Sequence, residues 1–318
     1  MIKDNDIDLN SVTIENIAAL TERQSVLEEQ RICEIYELAE EGCSYAAEML
    51  VSGYGIYEVL SVISENFLTD SLNQHSYALD ENRNRLSSYL KSLSVYDKII
   101  FSEFLREKLS KNGFSLVESD FLPITHNEET FTYVKNSLAD EAYDVFSQDF
   151  ASPRLKYSAS LQEAARAVSR GECTYALLPL EERGGVRLAS VSSLIFYEDL
   201  KINSVTPVFG FDGVADMKYA LVSSSFSVPE VCEDDDRYLE ILIRKDMSVS
   251  LSELLVAVDE FGASVYRINT ISFRTDDGEV PYYSLVIKDE GKDFTSLLIY
   301  LTLFSGSYTP VGIYKNLE

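Results

Sequence analysis

Arg237-Tyr-Leu-Glu-Ile-Leu-Ile-Arg244 opens the stretch that decides how the C-terminal third of the chain folds. Apolar and polar side chains alternate along it, the period of a β-strand. From Ser250 to Phe261 the apolar spacing lengthens to that of an amphipathic helix, which Gly262 stops. Ser264–Phe273 and Val280–Lys288 return to strand character around the turn Asp276-Asp277-Gly278. Phe294–Phe304 reads as a second helix and Tyr308–Tyr314 as a last strand. The order βαββαβ over about 80 residues is the split-βαβ arrangement.

Upstream, the polar and acidic run Phe226-Ser-Val-Pro-Glu-Val-Cys-Glu-Asp-Asp-Asp236 reads as a linker. Before it lies a second patterned unit. Phe131–Val134 is a short strand, Leu138–Phe150 a helix and Leu155–Ser158 a strand. Leu161–Ser169 is a helix closed by Gly171, and Thr174–Pro179 a buried strand. Strands alternating with helices at these spacings predict a layer with a parallel sheet. Residues 114–129, with Pro123 and Asn127 as breakers, connect this unit to a helical first third. There the apolar steps of three and four predict helices over Thr13–Glu41, Ala46–Phe67 with a break at Ser52-Gly53, Leu72–Leu93 and Val95–Lys111. Asn10 or Ser11 is the expected cap of the first helix, Gly42 its stop, and Asn112-Gly113 the stop of the last.

The totals restrict the function. The 318 residues suffice for two or three domains, and 46% hydrophobic with 25% charged residues is the balance of a folded protein. The 53 acidic residues against 27 basic ones give a net charge of −26. Such a field repels phosphate backbones and anionic lipid, which argues against nucleic-acid and membrane partners. Residues 1–50 alone carry twelve acids and three bases. Four cysteines (Cys33, Cys43, Cys173, Cys232) form no CxxC pair, and His75 and His126 are the only histidines. The pattern offers no metal site and no cofactor-binding motif, and it fits free thiols in a reducing compartment. No run of about 18 apolar residues appears, nor a basic start followed by an apolar stretch, so a cytoplasmic location is expected.

Tyr238-Leu-Glu-Ile-Leu-Ile243 and Leu254-Leu-Val-Ala-Val-Asp-Glu-Phe-Gly-Ala-Ser-Val-Tyr-Arg-Ile268 resemble an ACT domain. That resemblance implies an effector site where helix and strand meet, around Gly262 and Ala263. It also implies contributions from a turn opening the first helix and a stretch after the second strand. Ser248, Ser250 and Leu251 hold the first of these places and Asn269 and Thr270 begin the second, in neither case with the family's phenylalanine-sensing motif. An aromatic amino acid is the implied effector. Side-by-side pairing of such modules implies a homodimer, with Arg267 or Arg274 facing the partner.

Residues 130–226 are similar to the first lobe of prephenate dehydratase. The stretch from Ser160 to Glu181, helix, glycine turn and strand, carries the likeness, together with Glu198-Asp-Leu-Lys-Ile202. In that family the lobe commonly precedes an ACT domain, as here. The site-forming segments depart from the family's. Its glycine-rich first loop is Val134-Lys-Asn-Ser-Leu138 in this chain, and its "ENS" stretch is Glu181-Glu182-Arg183. Its "TRF" threonine, taken as an acid, becomes Met217 in Met217-Lys218-Tyr219, and methionine has no proton to give. Only 14 residues separate Ile202 from Met217, where the enzymes insert a second lobe.

The expected architecture is therefore a multidomain α+β and α/β chain: a helical domain (1–115), a single dehydratase-like lobe (128–227) and an ACT-like domain (236–318). The expected function is a non-catalytic regulatory relative that binds an amino acid or dimerises. Two alternatives stand beside it. One is a divergent dehydratase converting prephenate to phenylpyruvate. Its candidate residues are Glu181, Arg183, Lys218 and Tyr219, with Arg187 as a further anion contact and Tyr133 or Tyr219 as proton donor. The other is a scaffold whose acidic helices recruit a basic partner. Gly184-Gly185, outside any phosphate-loop pattern, reads as a tight turn.

Overall fold

The apolar periodicity of the first third produces helices whose buried residues share one core with the C-terminal unit. The computed structural model describes residues 9–64, 81–124, 129–210, 213–229, 236–245, 250–275, 278–305 and 308–317. His75, His126, Cys232, Ser248, Asn127 and the Asp276-Asp277 pair lie outside them. The helical region consists of α1 (Leu9–Val51), α2 (Ile56–Ser64), α3 (Glu81–Ser92) and α4 (Val95–Lys111). Gly42 does not stop α1, which runs on to a turn at Ser52-Gly53 with Gly53 at φ +91°. The glycine lies inside the helix where α4 packs, and a Cβ there would make ordinary contacts with Phe101 at 3.4 Å and Leu105 at 3.8 Å. Asn10 and Ser11 lie within α1 rather than capping it. Ser94 and Asp97 form a reciprocal capping box on α4, each side chain accepting from the other's backbone N–H.

The second unit follows the expected alternation. It contains β1 (Thr130–Tyr133), α5 (Ser137–Phe146), β2 (Arg154–Tyr157), α6 (Leu161–Ser169), β3 (Tyr175–Glu182), β4 (Val186–Arg187), α7 (Ala189–Tyr197), β5 (Lys201–Phe209) and β6 (Ala215–Ser223). Asn136 and Ser160 cap α5 and α6 with side-chain oxygens. β1 is flanked by β2 and β3 in parallel, while β6 is antiparallel to both β3 and β5. The segment between Ile202 and Met217 is largely strand, so β5 and β6 form a hairpin.

The C-terminal unit consists of β7 (Arg237–Arg244), α8 (Leu251–Glu260), β8 (Ala263–Thr275), β9 (Gly278–Asp289), α9 (Thr295–Phe304) and β10 (Tyr308–Asn316). Its strands lie in the order β10-β7-β9-β8. They continue the sheet of the preceding unit, because β10 pairs in parallel with β5, giving one ten-stranded sheet among the described residues. Gly312 sits at this seam, where a Cβ would meet the Ile202 carbonyl oxygen at 2.5 Å.

β7 departs from the half-exposed strand that its alternation predicts, being buried on both faces. Leu239, Ile241 and Ile243 pack with α8, α9 and the helical region, whereas Tyr238 and Leu242 pack with α6 and α7 of the lobe. A third core, under α5, holds Phe131, Phe146, Tyr219 and Leu221. Phe196 of α7 stacks on Phe273 of β8 at 3.9 Å and 5°. The lobe therefore covers the face of the C-terminal strands that α8 and α9 leave open.

Candidate functional site

Strand alternation sends charge into the junction between the two sheet halves. In β6 Ala220 and Val222 face the junction core while Tyr219 and Leu221 face α5, which puts Lys218 on the junction side. In β3 a bulge between Pro179 and Glu181 brings Glu181 to the same side as Leu180. Glu240 is the polar member of β7's lobe-facing row.

These residues form a buried ionic cluster. Glu181 accepts from both terminal nitrogens of Arg267, Nη1 to one oxygen and Nη2 to the other at 3.3 Å. Arg187 Nη1 and Lys218 Nζ each stand 3.9 Å from its oxygens. Arg187 Nη2 donates to Glu240 at 2.7 Å and its Nε to Ser192 at 3.3 Å. Tyr314 donates to the other Glu240 oxygen at 3.2 Å. Burial, with Glu240 alongside, pushes the Tyr314 phenol well up, and burial beside Asp236 pushes Tyr238 up to about 12. Three cations thus neutralise two carboxylates that water barely reaches. The cavity left beside them measures about 20 Å³ and is walled by Tyr238, Tyr266, Tyr314, Arg267, Lys218 and Asn316. That is room for about one water molecule.

The expected site residues divide. Glu181, Lys218 and Arg187 meet at the junction. Arg183 does not, being exposed and paired with Asp216 at 3.2 Å. Tyr219 points to the opposite face, where its hydroxyl donates to Asn136 at 3.4 Å. Tyr133 donates to Asp140 at 2.6 Å on that same face, and burial raises both phenols. Neither tyrosine is therefore a proton donor beside Lys218. Gly184 and Gly185, at φ +85° and +78°, form the tight turn expected of them.

Arg267 faces Glu181 within the chain. Ser250 caps α8, accepting from the Glu253 N–H at 3.2 Å, and Leu251 begins the helix. Gly262 and Ala263 follow its other end, about 15 Å away for ten helical residues, so these two groups sit at opposite ends of α8. Asn269 and Thr270 pair with Ser284 and Tyr283, level with the Ser250 end of the unit because Tyr283 in turn pairs with Ile243. The part of Glu240 was missed, though a signal existed: a carboxylate inside Tyr-Leu-Glu-Ile-Leu-Ile requires a buried cation once the strand is central.

Replacing Glu181 by Ala leaves Arg267 and Lys218 without their carboxylate, while Arg187 keeps Glu240, and about 3–5 kcal/mol of stability should be lost. Arg267→Ala in the same chain should return part of that loss, with a coupling of about 0.5–3 kcal/mol in urea unfolding. Strict additivity would show that the pair does not hold the junction.

Among the described residues no group of three or more His, Cys, Asp or Glu side chains is arranged to hold a metal ion, and no helix is long and apolar enough to cross a membrane. No protein family and no curated protein matches the sequence. Solved structures with a similar course include prephenate dehydratase from Streptococcus mutans, at TM-score 0.46 and 13% identity over 60% of this chain and 100% of that one. Prephenate dehydratase from Arthrobacter aurescens, solved with L-Phe, gives 0.42 and 14% over 58% of this chain and 89% of that one. GqqA, described as a novel type of quorum quenching acylase, gives 0.44 and 11% over 59% and 96%. At these identities and scores the similarity is one of outline and assigns no activity to this chain.

Proposed function

We propose that this chain is a non-catalytic regulatory protein of the cytoplasm, a dehydratase-like lobe joined to an ACT-like unit that binds an aromatic amino acid. The observation that carries the non-catalytic part is the Glu181 cluster. Its carboxylate is already held by Arg267, with Lys218 and Arg187 beside it, and the space left is that of one water. The residue types at the acid's position agree, since Met217 has no proton to give and Tyr133 and Tyr219 point to the opposite face. Pairing of two chains along β8, the terminal strand of the sheet, is the expected mode of dimerisation.

Two measurements test this reading. Purified protein incubated with prephenate should form no phenylpyruvate beyond the spontaneous background, and turnover that Glu181→Ala abolishes would defeat it. Thermal unfolding with L-phenylalanine, L-tyrosine or L-tryptophan should give a rise of several degrees with one of them. Ligand at about 100 times its Kd adds roughly 2.7 kcal/mol to the state that binds it. No rise with any of the three would remove amino-acid sensing.

A further inference from the structure

A second ionic cluster lies on the other face of β7, where the helical region docks on the C-terminal unit. Glu118 sits in a single 3-10 turn (Glu118–Asp120) after α4. Its two oxygens each accept from Arg237 Nη2 at 2.6 Å, and one also accepts from the Phe294 N–H at 2.7 Å, at the start of α9. Arg237 is fully buried, with the Phe294 ring 5.6 Å from its guanidinium. Asp289, at the end of β9, is buried too, and its Oδ2 stands 3.5 Å from Arg237 Nε. Two carboxylates thus share one guanidinium, leaving a negative charge in excess. Arg237 Nε and Nη1 and Asp289 Oδ2 are buried with no hydrogen-bond partner. An uncompensated buried charge is expensive, and a carboxyl in that position lowers the cost by taking up a proton.

We infer that Glu118, Arg237 and Asp289 form a proton-operated latch, which clamps the helical region onto the C-terminal unit when Asp289 is neutral. The groups facing Asp289 are Arg237 from β7, Glu118 from the helical region, Asp236 ahead of β7 and the Gly291 N–H. Lys288 is turned to Asp236 at 2.8 Å. Burial raises the Asp289 carboxyl above its ordinary value, Arg237 and the Gly291 N–H pull it back, and Glu118 and Asp236 add to the rise. The raised group favours the docked state fully below the ordinary carboxylate range. That contribution is lost as pH climbs through the raised value. The remaining polar ties across this interface, Arg106 to Asp293 at 3.0 Å and to Ser296 at 2.8 Å and Lys98 to Glu253 at 3.5 Å, are partly exposed and set the baseline.

Amide exchange of the whole chain, followed by mass spectrometry and corrected for intrinsic rates, reads the latch at residues 116–122 and 294–300. From the ordinary carboxylate range near pH 4 up to pH 7.5 the opening of these segments should increase as pH passes through the raised Asp289 value, by up to tenfold for each unit that separates the docked and free carboxyl values. Asp289→Asn should be as protected at pH 7.5 as the wild type is near pH 4, with the slope gone, while Asp236→Asn keeps most of it. A flat wild-type profile would overturn the latch, as would an Asp289→Asn slope equal to the wild type's. An Asp289→Asn chain less protected than wild type at pH 7.5 would do the same, because Asn stands in for the neutral acid.

Discussion

Replacing Arg237 by Met is expected to destabilise the chain by about 3–5 kcal/mol, because it removes the guanidinium that lies between two buried carboxylates. The loss has two sources. Glu118 and Asp289 would face each other unpaired, and Glu118 would keep only the Phe294 N–H as a buried donor. Unfolding in urea, followed by circular dichroism and tyrosine emission, measures it, since the chain has 20 tyrosines and no tryptophan. The converse experiment separates charge from packing. Replacing Arg237, Glu118 and Asp289 together by Met and Leu should recover most of the loss, because a fully apolar triad leaves no charge to bury. A triple variant as unstable as the single one would place the cost in shape instead.

Gly312→Ala is the second large effect. A Cβ at this position would lie 2.5 Å from the Ile202 carbonyl oxygen, 2.7 Å from its Cβ and 3.1 Å from its Cα. Two of these atoms are backbone, so no side chain can swing aside, and β10 must part from β5. Overpacking alone costs about 1–3 kcal/mol, and here it also breaks inter-strand pairing, so the upper end of that range or more is expected. The pairing of β10 shifts register on both sides at this residue, against β7 and against β5. Gly55→Ala, where a Cβ meets nothing within 4 Å, is the control and should change stability by about 0.5 kcal/mol or less. Equal effects from the two substitutions would show that the seam is not tightly packed.

The elements of the C-terminal unit were legible because each changes period at a residue with a local reason, such as the Ser250 cap or the turn at Gly262. Val95–Lys111 and Leu161–Ser169 were legible for the same reason, with their stops at Asn112-Gly113 and Gly171. Gly42 misled because a glycine inside a helix and one ending it look alike in sequence, and α1 runs past it to Val51. The seam was not legible either. Parallel pairing of β5 with β10 leaves no local trace, and alternation cannot reveal that both faces of β7 are covered. For the candidate site, Glu181, Lys218 and Arg187 stood out as charges near the ends of strands. Their meeting with Arg267 and Glu240 depended on that seam, and the bulge at Glu181 cannot be read from residue types.

The seam has a consequence for how the protein is made. Ile202 waits for Gly312, about a hundred positions later, a delay of roughly 5–20 s at ordinary ribosomal rates. Throughout that interval β5 presents an open hydrogen-bonding edge of nine residues, the kind on which nascent chains aggregate. The edge closes only when Tyr308–Asn316 arrives, and the same strand then closes the edge of β7. A nascent chain stalled or clipped before Tyr308 would expose two strand edges at once. Such a fragment should depend on chaperones where the finished protein does not.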